Sequence, residues 1–135
     1  MKIERMPVGE IMQRDLLTAP AGESLRTAAL MMRERRVRCL LVPPTRSGDG
    51  VGILTSKDVV QVVMQEGGEC LDELCVADVM TRPAISVQAD MAVEECFQLM
   101  RSTSVRRMPV QHGSELVGLI SCSDMFAFAI DGEPL

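Results

Sequence analysis

Val76-Ala77-Asp78-Val79-Met80-Thr81-Arg82, beyond the middle of the chain, restates in kind the stretch Val8-Gly9-Glu10-Ile11-Met12-Gln13-Arg14 near its start. The two lie 68 positions apart, and the correspondence runs without a gap over Val8 to Val42 against Val76 to Val110, with nine identities. Among them are Met12/Met80, Arg14/Arg82, Met32/Met100, Arg33/Arg101, Val37/Val105 and Arg38/Arg106. Beyond Val42 the offset drops to 66, pairing Val51 with Val117, Gly52 with Gly118, Thr55 with Ser121 and Asp58 with Asp124. The first copy therefore carries two extra residues between Val42 and Val51, where Pro43, Pro44, Gly48 and Gly50 mark a turn region that tolerates insertion. The chain is read as two copies of one pattern before any element is assigned.

Each copy opens with a short helical turn ending near Met12 or Met80, followed by a short apolar strand, Leu16–Thr18 or Ala84–Val87. Leu25, Ala28, Ala29 and Met32 then fall at helical spacing, as do Val93, Cys96, Phe97 and Met100, so each copy has a helix with one apolar stripe. A hairpin follows, Cys39–Val42 with Val51–Thr55 and Met108–Gln111 with Leu116–Ser121, the second turning through His112, Gly113 and Ser114. A second helix closes each copy. It spans about Ser56–Gln65 before Gly67 and Gly68, and about Cys122–Ile130 before Gly132 and Pro134.

The unit is thus β-α-β-β-α, and one copy of roughly 60 residues buries too little apolar surface to be comfortable alone. The expected fold is α/β in the broad, α+β sense: two repeats related by a pseudo-two-fold axis with their sheets packed together. Repeat 1 is assigned to residues 1–66, a linker to 67–75 and repeat 2 to 76–135.

Composition excludes several functions. With 135 residues and a net charge of -5, the chain is too short for a large multidomain enzyme and gives no global attraction to nucleic acid or to an anionic membrane. Trp and Tyr are absent and Phe occurs three times, so the aromatic platform usual for single-stranded nucleic acid is missing. Five cysteines, odd in number and without CxxC spacing, read as free thiols of a reducing compartment. Met1 to Val8 lacks the apolar run of a signal peptide, and no stretch approaches the roughly 18 apolar residues of a membrane span. A soluble, cytoplasmic protein is expected. Catalysis is not: the single histidine, His112, lies in a turn with no cysteine near it in sequence. No metal is expected either, since Cys70 and Cys75 lie in the linker and Cys96 on an apolar helix face.

Each hairpin ends in a similar phrase, Gly52-Ile53-Leu54-Thr55-Ser56-Lys57-Asp58 and Gly118-Leu119-Ile120-Ser121-Cys122-Ser123-Asp124, that carries a strand straight into a helix. Two readings stand side by side. A hydroxyl followed three residues later by an acid is a capping box, which satisfies orphan N–H groups at a helix start. The same geometry offers N–H groups and positive potential to a phosphate. The Asp would then accept two hydrogen bonds from ribose hydroxyls, and the Gly would admit a ligand close to the backbone. Arginine usage bears on the choice. The chain has twelve Arg against two Lys, with Arg33, Arg35, Arg36 and Arg38 clustered in the first copy and Arg101, Arg106 and Arg107 at equivalent places in the second. Arg suits bidentate phosphate recognition, but cations are also favoured at a helix C-terminus without any ligand.

Taken together, the openings at Val8–Met12 and Val76–Thr81, the phrase Val105-Arg106-Arg107-Met108-Pro109-Val110 and the two Gly-x-x-Thr/Ser-x-x-Asp motifs resemble a tandem pair of CBS domains, a Bateman module. The resemblance covers about Val8 to Phe128 and is to a stand-alone CBS-domain protein. It implies a regulatory, energy-sensing module that binds AMP, ADP, ATP or S-adenosylmethionine in clefts between the repeats, with no obligatory cofactor. It also implies pairing with a second copy into a homodimer and signalling to an effector protein yet to be identified. Carried over residue by residue, one cleft combines Ile53, Thr55 and Asp58 with Ile85, Ser86, Arg106 and Arg107; the other combines Leu119, Ser121 and Asp124 with Leu17, Thr18 and Arg38. Asp holds the ribose, Thr or Ser and Arg the phosphate, and the apolar residues the adenine faces. The copies differ at the phosphate end, where Arg107 matches Cys39 and Pro109 matches Leu41, so the Asp58 cleft is expected to hold phosphorylated ligands more tightly. The competing expectation is a dimerisation or scaffold module in which both motifs serve only as helix caps.

Overall fold

The computed structural model describes residues 2–46 and 48–132. The apolar stripes become helix faces buried at Leu25, Ala28, Met32, Val93, Cys96 and Met100, whereas Ala29 is half-buried and Phe97, expected in the second stripe, is 42% exposed. Helix α1 (Leu25–Arg35) buries Leu25, Ala28 and Met32, and its N-cap Ser24 accepts a hydrogen bond from the Thr27 N–H at 3.0 Å. The hairpin β1 (Cys39–Val42) and β2 (Gly52–Thr55) pairs antiparallel, Leu40 opposite Leu54, and feeds directly into α2 (Ser56–Glu66). A four-residue helix α3 (Cys70–Glu73) stands inside the stretch assigned to a linker, and α4 (Val76–Val79) forms the opening turn of the second repeat. Next come β3 (Val87–Gln88), α5 (Val93–Thr103), β4 (Arg107–His112), β5 (Glu115–Ser121) and α6 (Cys122–Asp131). The opening turn of the first repeat is a 3-10 helix, Val8–Glu10. Pro134, expected to help end the last helix, lies outside the described residues; Gly132 caps α6 in a left-handed conformation, φ 72°.

The two copies depart from β-α-β-β-α in one place. In the second, Val87 and Gln88 pair in parallel with Val110 and Gln111, so the strand begins at Val87 rather than at Ala84. In the first, the expected strand Leu16–Thr18 shrinks to an isolated bridge between Thr18 and Leu41. The cause is visible in the alignment: Pro20 and Pro43 stand where the second copy has Gln88 and Gln111. Proline has no N–H to donate, so the ladder cannot extend past the first bridge.

Space divides the chain differently from the sequence repeats. One compact unit joins the chain up to Leu16 with the chain from Ile85 onward, and the other is Leu17–Ala84. Each unit thus takes the opening segment of the other repeat. In the first unit Val8, Ile11 and Met12 pack with Val87, Val93, Cys96, Met100, Met108, Val110, Ile120 and Met125. In the second, Val76 joins Leu17, Leu25, Ala28, Met32, Leu40, Val42 and Leu54.

The backbone bonds that seat these segments recur at the same offset. Val8 N–H donates to Met91 O at 2.8 Å and Gly9 N–H to Ala89 O at 2.8 Å, matched by Val76 to Glu23 at 2.8 Å and Ala77 to Ala21 at 2.9 Å. Farther along, Gln13 and Leu119 exchange both backbone bonds, as do Thr81 and Ile53. The opening segments are therefore edge pieces of a sheet, held by buried apolar residues and by ladder bonds together.

Candidate ligand-binding site

In the Leu17–Ala84 unit, β2 delivers Thr55 in extended conformation to the start of α2. Thr55 Oγ1 accepts the Asp58 N–H at 3.1 Å, while Asp58 Oδ2 accepts the Thr55 N–H at 2.9 Å. The Ser56 N–H is taken by the Arg38 carbonyl at 2.8 Å. Of the first three N–H groups of α2, that of Lys57 alone has no partner among the described residues. Asp58 is half-buried, and its Oδ1 likewise has no partner there. The capping reading of this motif is therefore correct, and it uses only one of the two carboxylate oxygens.

The other unit repeats the cap with a different outcome. Ser121 Oγ accepts the Asp124 N–H at 3.2 Å, Asp124 Oδ2 accepts from the Ser121 N–H at 2.8 Å and from its hydroxyl at 2.9 Å, and the Arg106 carbonyl takes the Cys122 N–H at 3.0 Å. Here the remaining oxygen is also engaged: Gln13 Nε2 donates to Asp124 Oδ1 at 2.8 Å. Asp124 is only 2% exposed. A third box stands at α4, where the Cys75 N–H donates to Asp78 at 2.9 Å. That bond holds the Asp78 carboxyl below the usual carboxylate range.

The other expected site residues fall as follows. Leu17, Thr18 and Arg38 share a unit with Ile53, Thr55 and Asp58; Ile85, Ser86, Arg106 and Arg107 share one with Leu119, Ser121 and Asp124. Each combination carried over from the resemblance is thus divided between the units. What a single unit gathers is the motif with the basic residue preceding its own hairpin. Cys39 stands opposite Thr55 with Arg38 just before it, and Arg107 stands opposite Ser121. Thr18, Arg38 and Arg106 are exposed, Arg107 and Leu119 half-buried, and Leu17 buried. Ile85 is 41% exposed, and the Ser86 hydroxyl donates to Gln111 Oε1 at 2.7 Å. Among the described residues Arg38, Arg106 and Arg107 make no ion pair, which leaves their charge available to an anion.

The motif glycines have a packing role. A Cβ on Gly52 would collide with Met80 Sδ, and one on Gly118 with Met12 Sδ. Packing of the opening segment favours glycine at both positions, most strictly at Gly118, where the Gln13 carbonyl also stands 3.0 Å from the Cβ position. Gln13 was invisible to motif reading. Its only signal was the mismatch with Thr81 in the otherwise similar openings.

No disulfide joins cysteines among the described residues, and two thiols are chemically quiet. Burial, with a smaller contribution from Cys122, pushes the Cys96 thiol up to about 11; burial, with Glu66, Glu73 and Glu69, also raises that of Cys70. His112 ends β4, exposed, opposite Glu115. Among the described residues no group of three or more His, Cys, Asp or Glu side chains is placed to hold a metal ion, and no helix is long and apolar enough to cross a membrane.

Comparison with known proteins accords with the repeat. The CBS domain family model matches residues 8–65 and again 76–131. An uncharacterized protein of Methanopyrus kandleri is 32% identical over 119 residues, which are 87% of this chain; the chain spans 60% of that relative's length. A hexameric CBS-CP12 protein from bloom-forming cyanobacteria superposes with a TM-score of 0.83 at 31% identity, covering 92% of this chain and 71% of that one. The CBS domain pair of protein MJ0100, in complex with 5'-methylthioadenosine and S-adenosyl-L-methionine, superposes with a TM-score of 0.79 over 95% of this chain and 98% of that one, and at 22% identity shares the fold alone.

Proposed function

Since the chain belongs to the CBS-domain family as a tandem pair, we propose that it is a regulatory module that binds an adenosine-containing ligand and signals to another protein. The single observation that carries the reading is the division of labour in Asp58, with Oδ2 in the helix cap and Oδ1 without a partner among the described residues. A ribose diol supplies the hydroxyl donors that such an oxygen accepts, and bonds to a charged acceptor contribute about 1.5–3 kcal/mol. The neighbouring Lys57 N–H supplies a donor, and Arg38, whose carbonyl takes the Ser56 N–H, brings a positive charge to the same turn in place of the Arg106 and Arg107 carried over from the resemblance. The ligand class, AMP, ADP, ATP or S-adenosylmethionine, comes from the family and belongs to this proposal. No obligatory cofactor and no catalytic step are part of it. Signalling requires that the ligand bind two states of the module with different affinity.

The test is a thermal-shift panel of AMP, ADP, ATP and S-adenosylmethionine, each at about 1 mM, on the protein and on Asp58→Asn. Ligand at 100 times its dissociation constant adds about 2.7 kcal/mol, a shift of a few degrees. Asn retains a carbonyl oxygen for the Thr55 N–H but turns an NH2 group where the free oxygen stood. The expected result is a shift with at least one compound that disappears in Asp58→Asn while the unliganded melting point barely moves. No shift with any of them supports the scaffold reading, in which the boxes are caps alone.

Self-association belongs to the same proposal. Beside α5 and α6 of the first unit runs a groove of about 460 Å³, lined by Ile3, Val93, Phe97, Met125, Phe126 and Ala129. Phe126 is 71% exposed, and Ile130 on the same helix 69%. A second copy of this chain would cover these side chains, and the hexameric state of the cyanobacterial relative supports assembly as a habit of the fold. A reducing, cytoplasmic setting suits cysteines that form no disulfide among the described residues.

A further inference from the structure

Gln13 and Thr81 hold the same place in the two units. Gln13 exchanges two backbone hydrogen bonds with Leu119, at 2.8 and 3.0 Å, and Thr81 exchanges two with Ile53, at 3.0 and 2.9 Å. Leu119 and Ile53 in turn stand two residues before the hydroxyl of each cap, so the side chain at position 13 or 81 is delivered beside the corresponding box. From that shared backbone position the longer Gln reaches the carboxylate and the shorter, exposed Thr makes no bond to its counterpart. Asp124 ends with both oxygens engaged and 2% exposure, whereas Asp58 keeps one oxygen open.

We infer that Gln13 is an internal stand-in for the ligand: its amide N–H occupies the acceptor that a ribose hydroxyl would use, so the chain carries one working adenosine site, at Asp58, and a self-filled one at Asp124. The inference rests on the ribose reading of Asp58 given above. Direct competition is what the geometry describes, because an amide N–H and a ribose O–H are alternative donors to the same lone pairs. A ligand at Asp124 would have to displace Gln13 and cost its half-buried amide the bond to the carboxylate, a loss the site at Asp58 does not incur. The difference stands on an observed bond and is independent of the contrast between Arg107 and Cys39, since Arg107 lies in the unit of Asp124 and Cys39 in that of Asp58.

The experiment is equilibrium dialysis of radiolabelled AMP, ADP, ATP and S-adenosylmethionine against the purified full chain and against Gln13→Thr, Thr81→Gln, Asp58→Asn and Asp124→Asn. The wild type is expected to bind one molecule per chain, unchanged in Asp124→Asn and lost in Asp58→Asn. Gln13→Thr, which copies the open unit, is expected to bind two. Thr81→Gln, which copies the filled unit at an exposed position, is expected to weaken binding at least tenfold. It keeps the test decisive should Gln13→Thr fail to fold. Two molecules per wild-type chain, or full affinity in a folded Thr81→Gln, would overturn the inference and leave the adenosine reading standing. No binding of any of the four compounds by wild type and Gln13→Thr alike would overturn the adenosine reading and the inference with it.

Discussion

Met12 places its sulfur over the Cα of Gly118, in the space a Cβ would fill, and Met80 does the same over Gly52 in the other unit. Each contact joins the opening segment of one repeat to the hairpin of the other. A methyl group added at Gly118 would also come within 3.0 Å of the Gln13 carbonyl, a backbone atom that cannot swing aside. Gly118→Ala is therefore expected to destabilise the protein by about 1–3 kcal/mol, as over-packing does. Gly52→Ala, whose obstacles are the side chains of Met80 and Val42, is expected to cost less. Urea denaturation of the two variants checks the order.

Removing a cap hydroxyl tests the structural half of each motif separately from ligand binding. Thr55→Ala and Ser121→Ala each free one helix N–H and are expected to cost about 1 kcal/mol. The loss at Ser121 is expected to be the larger, because its hydroxyl also donates to the buried Asp124. Thermal melts without ligand measure both.

Acid should weaken the Leu17–Ala84 unit through Asp72. Its carboxylate receives Arg26 Nε at 2.6 Å and Nη2 at 2.8 Å, a fork that ties α1 to α3. The hydrogen bond from Arg26 holds the Asp72 carboxyl below its ordinary value of 3.8. A folded-state value below the unfolded one gives stability that is present above the unfolded value and is lost as pH falls through the folded one. Asp78, held down by Cys75, acts in the same sense. Melting temperature measured from about pH 5 down to about pH 2 should therefore fall less steeply in Asp72→Asn than in the wild type.

Thiol reactivity should follow burial. With its thiol pushed up to about 11, Cys96 is ionised to only about a thousandth at pH 8, and it is fully buried. Alkylation followed by mass spectrometry should label the half-exposed Cys75 and Cys122 well before Cys96 and Cys70. Early labelling of Cys96 would mean that the first unit opens locally.

The exposed face of α6 should govern assembly. Phe126→Glu places a charge in the apolar groove without touching the core, since the side chain is 71% exposed. Light scattering is expected to show a smaller species than the wild type, with thermal stability otherwise retained.

Repeat, helices, hairpins and caps were legible in the sequence because each is written in local spacing. Leu25 to Met32 and Val93 to Met100 carry helical periodicity, and Thr55-x-x-Asp58 and Ser121-x-x-Asp124 carry capping chemistry within a single turn. The shortened first strand was legible too, had Pro20 and Pro43 been set against Gln88 and Gln111.

The exchange of opening segments was not legible, because local spacing says that Val8 and Val76 are buried without saying against which core. Nor was the difference between the two carboxylates, which the motif presents as equivalents. Gln13 and Asp124 are 111 positions apart, and only the folding of the opening segment onto β5 brings an amide donor to a carboxylate that is otherwise like its counterpart. The sequence by itself determined the elements and the caps, since their energies arise within a few residues. Tertiary structure alone decided which carboxylate oxygen is left without a partner among the described residues, because a hydrogen bond depends on which groups meet in space, however far apart they lie along the chain.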